Sequence, residues 1–96
     1  MTISNQDYKL KYTLRALFIF EQITGKLFNL ETVTDQYIFF YSMLEANNPD
    51  MKLTFDEFID ALDEDPTVMK EFVNFLNAEK DKYNVFQTSS DDKKKF

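Results

Sequence analysis

Along residues 14–24, LRALFIFEQIT, apolar side chains occupy almost every side of a helical wheel, interrupted by Arg15, Glu21 and Gln22 before Thr24 ends the run. Such a segment predicts a helix that something must cover all round. Gly25 follows where a left-handed C-cap residue belongs, since glycine takes a positive φ with no Cβ to clash, so the helix is expected over residues 13–24. Val33, Tyr37, Phe40, Tyr41 and Leu44 then recur at helical spacing, with Ile38, Phe39 and Met43 beside that main stripe. Thr32 and Asp35 are placed as a variant capping box at its start, and Asn47-Asn48-Pro49 ends the run.

A third, short helix is predicted where Thr54 and Glu57 stand as the S/T-x-x-E capping pair and Phe55, Phe58, Ile59 and Leu62 supply one apolar stripe. Asp65 before Pro66 is a preferred N-cap followed by a residue suited to the first helical position. Met69, Phe72, Val73 and Leu76 repeat behind it, with the helix expected to reach Tyr83. Gly25, Pro49 and Pro66 are the only glycine and prolines, too few for the frequent turns of a β-sandwich. The fold class predicted is all-α: a small bundle of about four helices forming a single domain over residues 1–83. Residues 84–96 are expected to be a flexible charged tail, because they are polar and without period and bury too little apolar surface to offset ordering. Residues 10–12 fit either a strand-like lead-in or an earlier helix start, and the segment before them carries little signal.

Composition narrows the chemistry. A chain of 96 residues has room for one core. With neither Cys nor His there is no thiolate, no disulfide framework, no imidazole base and none of the commonest transition-metal ligands, and no cofactor is expected. No apolar run approaches the roughly 20 residues that span a bilayer, and the first residues lack the apolar stretch of a signal peptide, so a cytoplasmic protein without membrane contact is expected. The net charge of −6 is uneven, at +2 over residues 1–30, −10 over residues 31–79 and +2 over residues 80–96. An acidic body repels phosphate backbones, which argues against nucleic acid as a partner.

The carboxylates crowd into Asp56, Glu57, Asp60, Asp63, Glu64 and Asp65. LTFDEF mimics the end of an EF-hand loop, but with Glu57 at position 12 the first ligand position falls on Ala46 and the glycine position on Met51, leaving Asn48, Asp50 and Glu57 as oxygen donors. No metal site is expected on that match. Carboxylate pairs on neighbouring turns, such as Asp56 with Asp60, have the spacing of a general acid and base, yet they alternate with the apolar stripe as solvent-facing positions do, and no nucleophile accompanies them. An enzyme is not expected. Most of the cluster follows from local structure: Asp56 and Glu57 sit in a first helical turn, where the macrodipole favours anions, and Asp65 caps the next helix. Asp60, Asp63 and Glu64 remain, near a helix C-terminus that a basic partner surface would relieve.

Sixteen aromatic residues, together with a first helix apolar on nearly every side, are more than four short helices are expected to hide. A groove or patch binding an apolar segment or another copy is expected from the first two helices, with Phe18, Phe20, Tyr37 and Phe40 lining it.

LRALFIFEQITGK, residues 14–26, resembles the signature of phage tail assembly chaperones, in which an apolar helix carrying F-E ends in a T-G-[K/R] turn; the later D-E-F helix is also similar to prophage members. The resemblance covers roughly residues 12–76 and falls on Phe20, Glu21, Thr24, Gly25 and Lys26. It implies a small, mostly helical, non-enzymatic protein that binds the long hydrophobic tape measure protein, keeps it soluble, helps tail-tube subunits assemble around it and is absent from the finished virion. Members are often made in a short and a frameshifted longer form, and codons for Lys93, Lys94, Lys95 and Phe96 are of the kind on which ribosomes slip. Two other classes fit the same residues: a degenerate EF-hand-like calcium-responsive module, and a structural protein that self-associates through its apolar patch.

Overall fold

The computed structural model describes residues 1–79. A hairpin of β1 (Thr2–Ile3) and β2 (Gln6–Asp7) leads into four helices, α1 (Leu14–Thr24), α2 (Val33–Asn47), α3 (Phe55–Glu64) and α4 (Thr67–Ala78). The expected all-α architecture of four helices is present, with a two-residue-per-strand hairpin added to it. The expected continuation of the last helix to Tyr83, and the tail over residues 84–96, lie outside the described residues.

The helix ends fall where side chains can satisfy free backbone groups. Thr13 accepts the N–H of Ala16 at 3.2 Å to open α1, and Gly25 closes it at φ 71°, its N–H donating to the Glu21 carbonyl at 2.8 Å. Both capping boxes form: Thr32 Oγ1 accepts from Asp35 N at 3.1 Å, and Thr54 Oγ1 from Glu57 N at 3.1 Å, with the acidic partner answering the cap's own N–H in each. At α4 the expected cap is displaced by one position. Pro66 stands at the boundary with helical φ and ψ, and Asp65 accepts the Thr67 N–H at 3.2 Å, the reach an N-cap side chain ordinarily has.

Residues before Leu10 gave no periodic signal, since strands of two residues are too short to show one. Ser4 and Asn5 take φ of 53° and 66°, the positive pair of a type I′ turn, and set Ile3 opposite Gln6 with its side chain buried. Residues 8–13 carry no helix, which settles residues 10–12 as an irregular lead-in. The end of α2 holds that lead-in through two carboxamides. Asn48 accepts the Lys9 N–H and donates to the Lys9 carbonyl, each at 2.9 Å, and Asn47 donates to the Lys11 carbonyl at 2.8 Å.

The buried centre belongs to α2, not α1. Phe39 lies against Tyr12, Phe20, Phe28 and Phe72 at centroid separations of 5.5, 6.1, 4.7 and 6.3 Å. Its neighbour Phe40 stacks on Phe72 at 4.1 Å and meets the edge of Phe58 at 5.1 Å. Because α2 is packed on more than one side, its buried arc runs from Ser42 through Met43 to Leu44; Val33, expected on the stripe, is exposed, and Phe39 and Met43, expected beside it, are fully buried. The buried Ser42 hydroxyl returns a 2.7 Å bond to the Ile38 carbonyl, so its polarity is answered within the helix. From α1 only Ala16, Leu17 and Phe20 are buried, and Leu14, Phe18 and Ile23 reach solvent.

Truncating Phe39 to alanine removes one ring from four partners at once. Phe39→Ala is expected to cost about 3–5 kcal/mol of unfolding free energy in urea titration, against less than about 1 kcal/mol for Phe18→Ala on the surface. Thr54→Ala, which strips one side of a capping box, is expected to cost about 1 kcal/mol by the same measurement.

Candidate functional site

The corner between α1 and α2 brings together Glu21 of α1 and the three residues of the T-G-K turn, Thr24, Gly25 and Lys26. Glu21 accepts the Phe28 N–H on its carboxylate at 2.8 Å. The Thr24 hydroxyl donates to the Phe20 carbonyl at 2.9 Å and accepts the Lys26 N–H at 3.3 Å, while Gly25 supplies the reversal. Lys26 then crosses to α2, its Nζ 2.9 Å from Asp35 Oδ2. That oxygen also accepts the N–H groups of Glu31 and Thr32, each at 3.1 Å. Asp35 is almost wholly buried. The Lys26 ammonium bonded to it holds its carboxyl below the usual range; burial pushes the other way, and the two backbone N–H groups and the lysine charge add to the lowering. The sequence marked Asp35 only as a cap. Its further role as the joint of the corner depends on a lysine nine positions earlier, a pairing that no helical spacing announces.

This corner sorts neighbouring apolar residues to opposite sides. Phe28 turns inward, 5.0 Å from Phe20 and 4.7 Å from Phe39. Leu27 beside it is 82% exposed, Val33 at the start of α2 is 68% exposed, and Ile23 on the last turn of α1 is also exposed. Large apolar side chains are thus held in water by a backbone fixed on both sides by hydrogen bonds. A surface loop free to move would fold such residues inward; this one has its Phe28 position already filled.

The four residues expected to line one groove do not meet in one. Phe20 and Phe40 have no exposed surface and are core residues, because α2 presents Phe39 and Phe40 to the two halves of the interior and Phe20 closes on the first of them. Neither side chain reaches the surface where a partner could touch it. Phe18 is 58% exposed on the outer side of α1. Tyr37 lines a depression of about 230 Å³ with Ile59, Leu62 and Asp63, between α2 and α3. Leu27 and Val33, each an apolar side chain beside a capped turn, are the most exposed large apolar residues among those described.

The acidic segment forms α3, and Asp56, Asp60, Asp63 and Glu64 are all solvent-exposed. A broad open groove of about 660 Å³ runs between the hairpin and α3, with Tyr8, Met51 and Leu53 among its apolar lining and Asp50, Glu57 and Asp60 on its walls. Two of the three oxygen donors of the EF-hand match are engaged elsewhere: Glu57 accepts the Thr54 N–H at 3.0 Å and its hydroxyl at 3.2 Å, and Asn48 accepts the Lys9 N–H at 2.9 Å. The Tyr41 hydroxyl donates to the Leu53 carbonyl at 2.6 Å; burial raises its pKa, helped by the carboxylates of Glu45 and Glu57 and by Tyr8.

Comparison with models of known protein families, with curated proteins and with solved structures finds no match. Among the described residues no helix is long and apolar enough to cross a membrane.

Asp35 gives the corner a pH dependence of defined sign. Its folded pKa lies below its ordinary value of 3.8, so its contribution to stability is complete above that value and is lost as pH falls through the folded value. Urea titrations between about pH 5 and about pH 2.5 are expected to show a fall in wild-type stability that is smaller in Asp35→Asn, which is itself less stable at neutral pH.

Proposed function

We propose that this is a non-enzymatic, chaperone-like binding module that holds apolar helical segments of a long partner in solution, and specifically a phage tail assembly chaperone acting on the tape measure protein in the host cytoplasm. One observation carries the reading: Leu27, Val33 and Ile23 stand exposed on the segments that meet at a corner tied by hydrogen bonds and the Lys26–Asp35 pair. Exposed apolar groups on a pre-formed corner suit capture of an apolar segment, because little ordering remains to be done on binding. The residues of the chaperone-like turn, Glu21, Thr24, Gly25 and Lys26, then act as positioning residues, presenting the neighbouring side chains without touching the partner. Tail-tube subunits would follow the tape measure protein as a later partner.

The tail-module reading rests on the resemblance of residues 14–26, and the general reading, capture of an apolar helix, rests on the corner itself. Each fully buried leucine or valine contributes about 1.5–3 kcal/mol to an interface, so placing charges at both outer positions removes most of the binding. Co-expression with the long coiled-coil-like tail protein is the test. Soluble partner is expected to rise severalfold with the wild-type chain and to return to its unassisted level with Leu27→Asp/Val33→Asp, whose far-UV circular dichroism stays native because both positions face solvent. Partner solubility indifferent to the wild-type chain would overturn the chaperone proposal.

A further inference from the structure

The lead-in together with the first turn of α1, and the outer face of α3, carry opposite charge. From residue 8 to residue 20 there is no carboxylate, and Lys9, Lys11 and Arg15 are exposed; from residue 53 to residue 69 there is no cation, and Asp56, Asp60, Asp63 and Glu64 are exposed. Ion pairs among the described residues join Met1 to Asp7 and Lys26 to Asp35, so within them neither face is neutralised. The match extends beyond charge. On α1, Leu14 and Phe18 stand one turn apart and exposed, with Arg15 alongside. On α3, Phe55 is partly exposed and Ile59, one turn on, is half-buried against the core, and Asp56, Asp60 and Asp63 follow each other at spacings of four and three, the strip next to them. The lead-in with the first turn of α1 thus sets Lys11 and Arg15 beside Leu14 and Phe18, and α3 sets carboxylates beside Phe55, so the two segments carry charges of opposite sign.

We propose that the lead-in and α1 of one copy of this chain dock on α3 of another, with Leu14 and Phe18 against Phe55 and Ile59, and Lys11 and Arg15 against Asp60 and Asp63. Charge complementarity selects the occupant. A nucleic acid would meet three cations on a body of charge −10 over residues 31–79, whereas a second copy brings the acidic strip and Phe55 in one surface. The contact is heterologous, since the two faces are different parts of the chain, and each bound copy keeps one face open for the next. It leaves Leu27 and Val33 outside the contact, so it stands or falls separately from the partner reading.

Sedimentation velocity of the full chain, across a concentration series up to about 0.5 mM at ~0.05 M and ~0.5 M salt, is the test. The wild-type mass is expected to grow with concentration at low salt, and the apparent dissociation constant to rise roughly tenfold at high salt, where exposed charges are screened. Lys11→Glu/Arg15→Glu and Asp60→Lys/Asp63→Lys are each expected to be monomeric alone, at least about 100-fold weaker, because like charges now face each other. Mixed in equal amounts they re-associate, and so does the chain carrying all four reversals. Circular dichroism checks that each variant keeps its helices; Arg15→Gln and Asp60→Asn replace the reversals if it does not. A wild-type chain that stays monomeric at low salt overturns the proposal, as does a reversal variant that still assembles alone or a mixture that does not.

Discussion

Two consecutive rings on one helix, Phe39 and Phe40, organise everything else. Adjacent residues on a helix point about 100° apart, so the pair opens into two different regions of the interior. Phe39 gathers the lead-in through Tyr12, α1 through Phe20 and the corner through Phe28; Phe40 gathers α3 through Phe58 and α4 through Phe72. A further contact between Phe39 and Phe72 joins the two regions. A domain of this size cannot afford two cores, and a pair of neighbouring aromatics lets one helix serve both halves of a single one.

That arrangement explains why α1 is apolar on sides the core does not use. Once α2 occupies the centre, α1 needs only the arc containing Ala16, Leu17 and Phe20, and its remaining apolar residues are available to water or to other molecules. Helix amphipathicity is usually read as a statement about what is buried. Here the more useful statement concerns the surplus, because a buried central helix and a peripheral sticky one have the same wheel. Only the position of α2 separates them.

Local chemistry was legible and global placement was not. Both capping boxes, the glycine cap and the cap preceding Pro66 follow from short-range rules, and they locate the helices to within a residue or so. The two exchanges on α2, Val33 outward and Phe39 inward, follow from which neighbours surround the helix, which no period of 3.6 can report. The same limit applies to the site. Phe18 and Tyr37 were placed at the surface by pattern, while Phe20 and Phe40 fell on the same pattern and lie in the core. The hairpin was invisible because its information is two residues long, Ser4 and Asn5, and serine is an uncommon choice for a left-handed position.

The asparagine clamp on the lead-in has a consequence for chemical ageing. Asparagine loses its amide when the next residue's backbone nitrogen attacks the side chain, and the product carboxylate would turn a donor into an acceptor facing the carbonyls of Lys9 and Leu44. Asn48 is followed by Pro49, whose nitrogen carries no hydrogen and cannot close that ring. The Asn48 half of the clamp is thus shielded from the commonest route of spontaneous decay, whereas Asn47, which holds the Lys11 carbonyl, is followed by Asn48 and has no such shield.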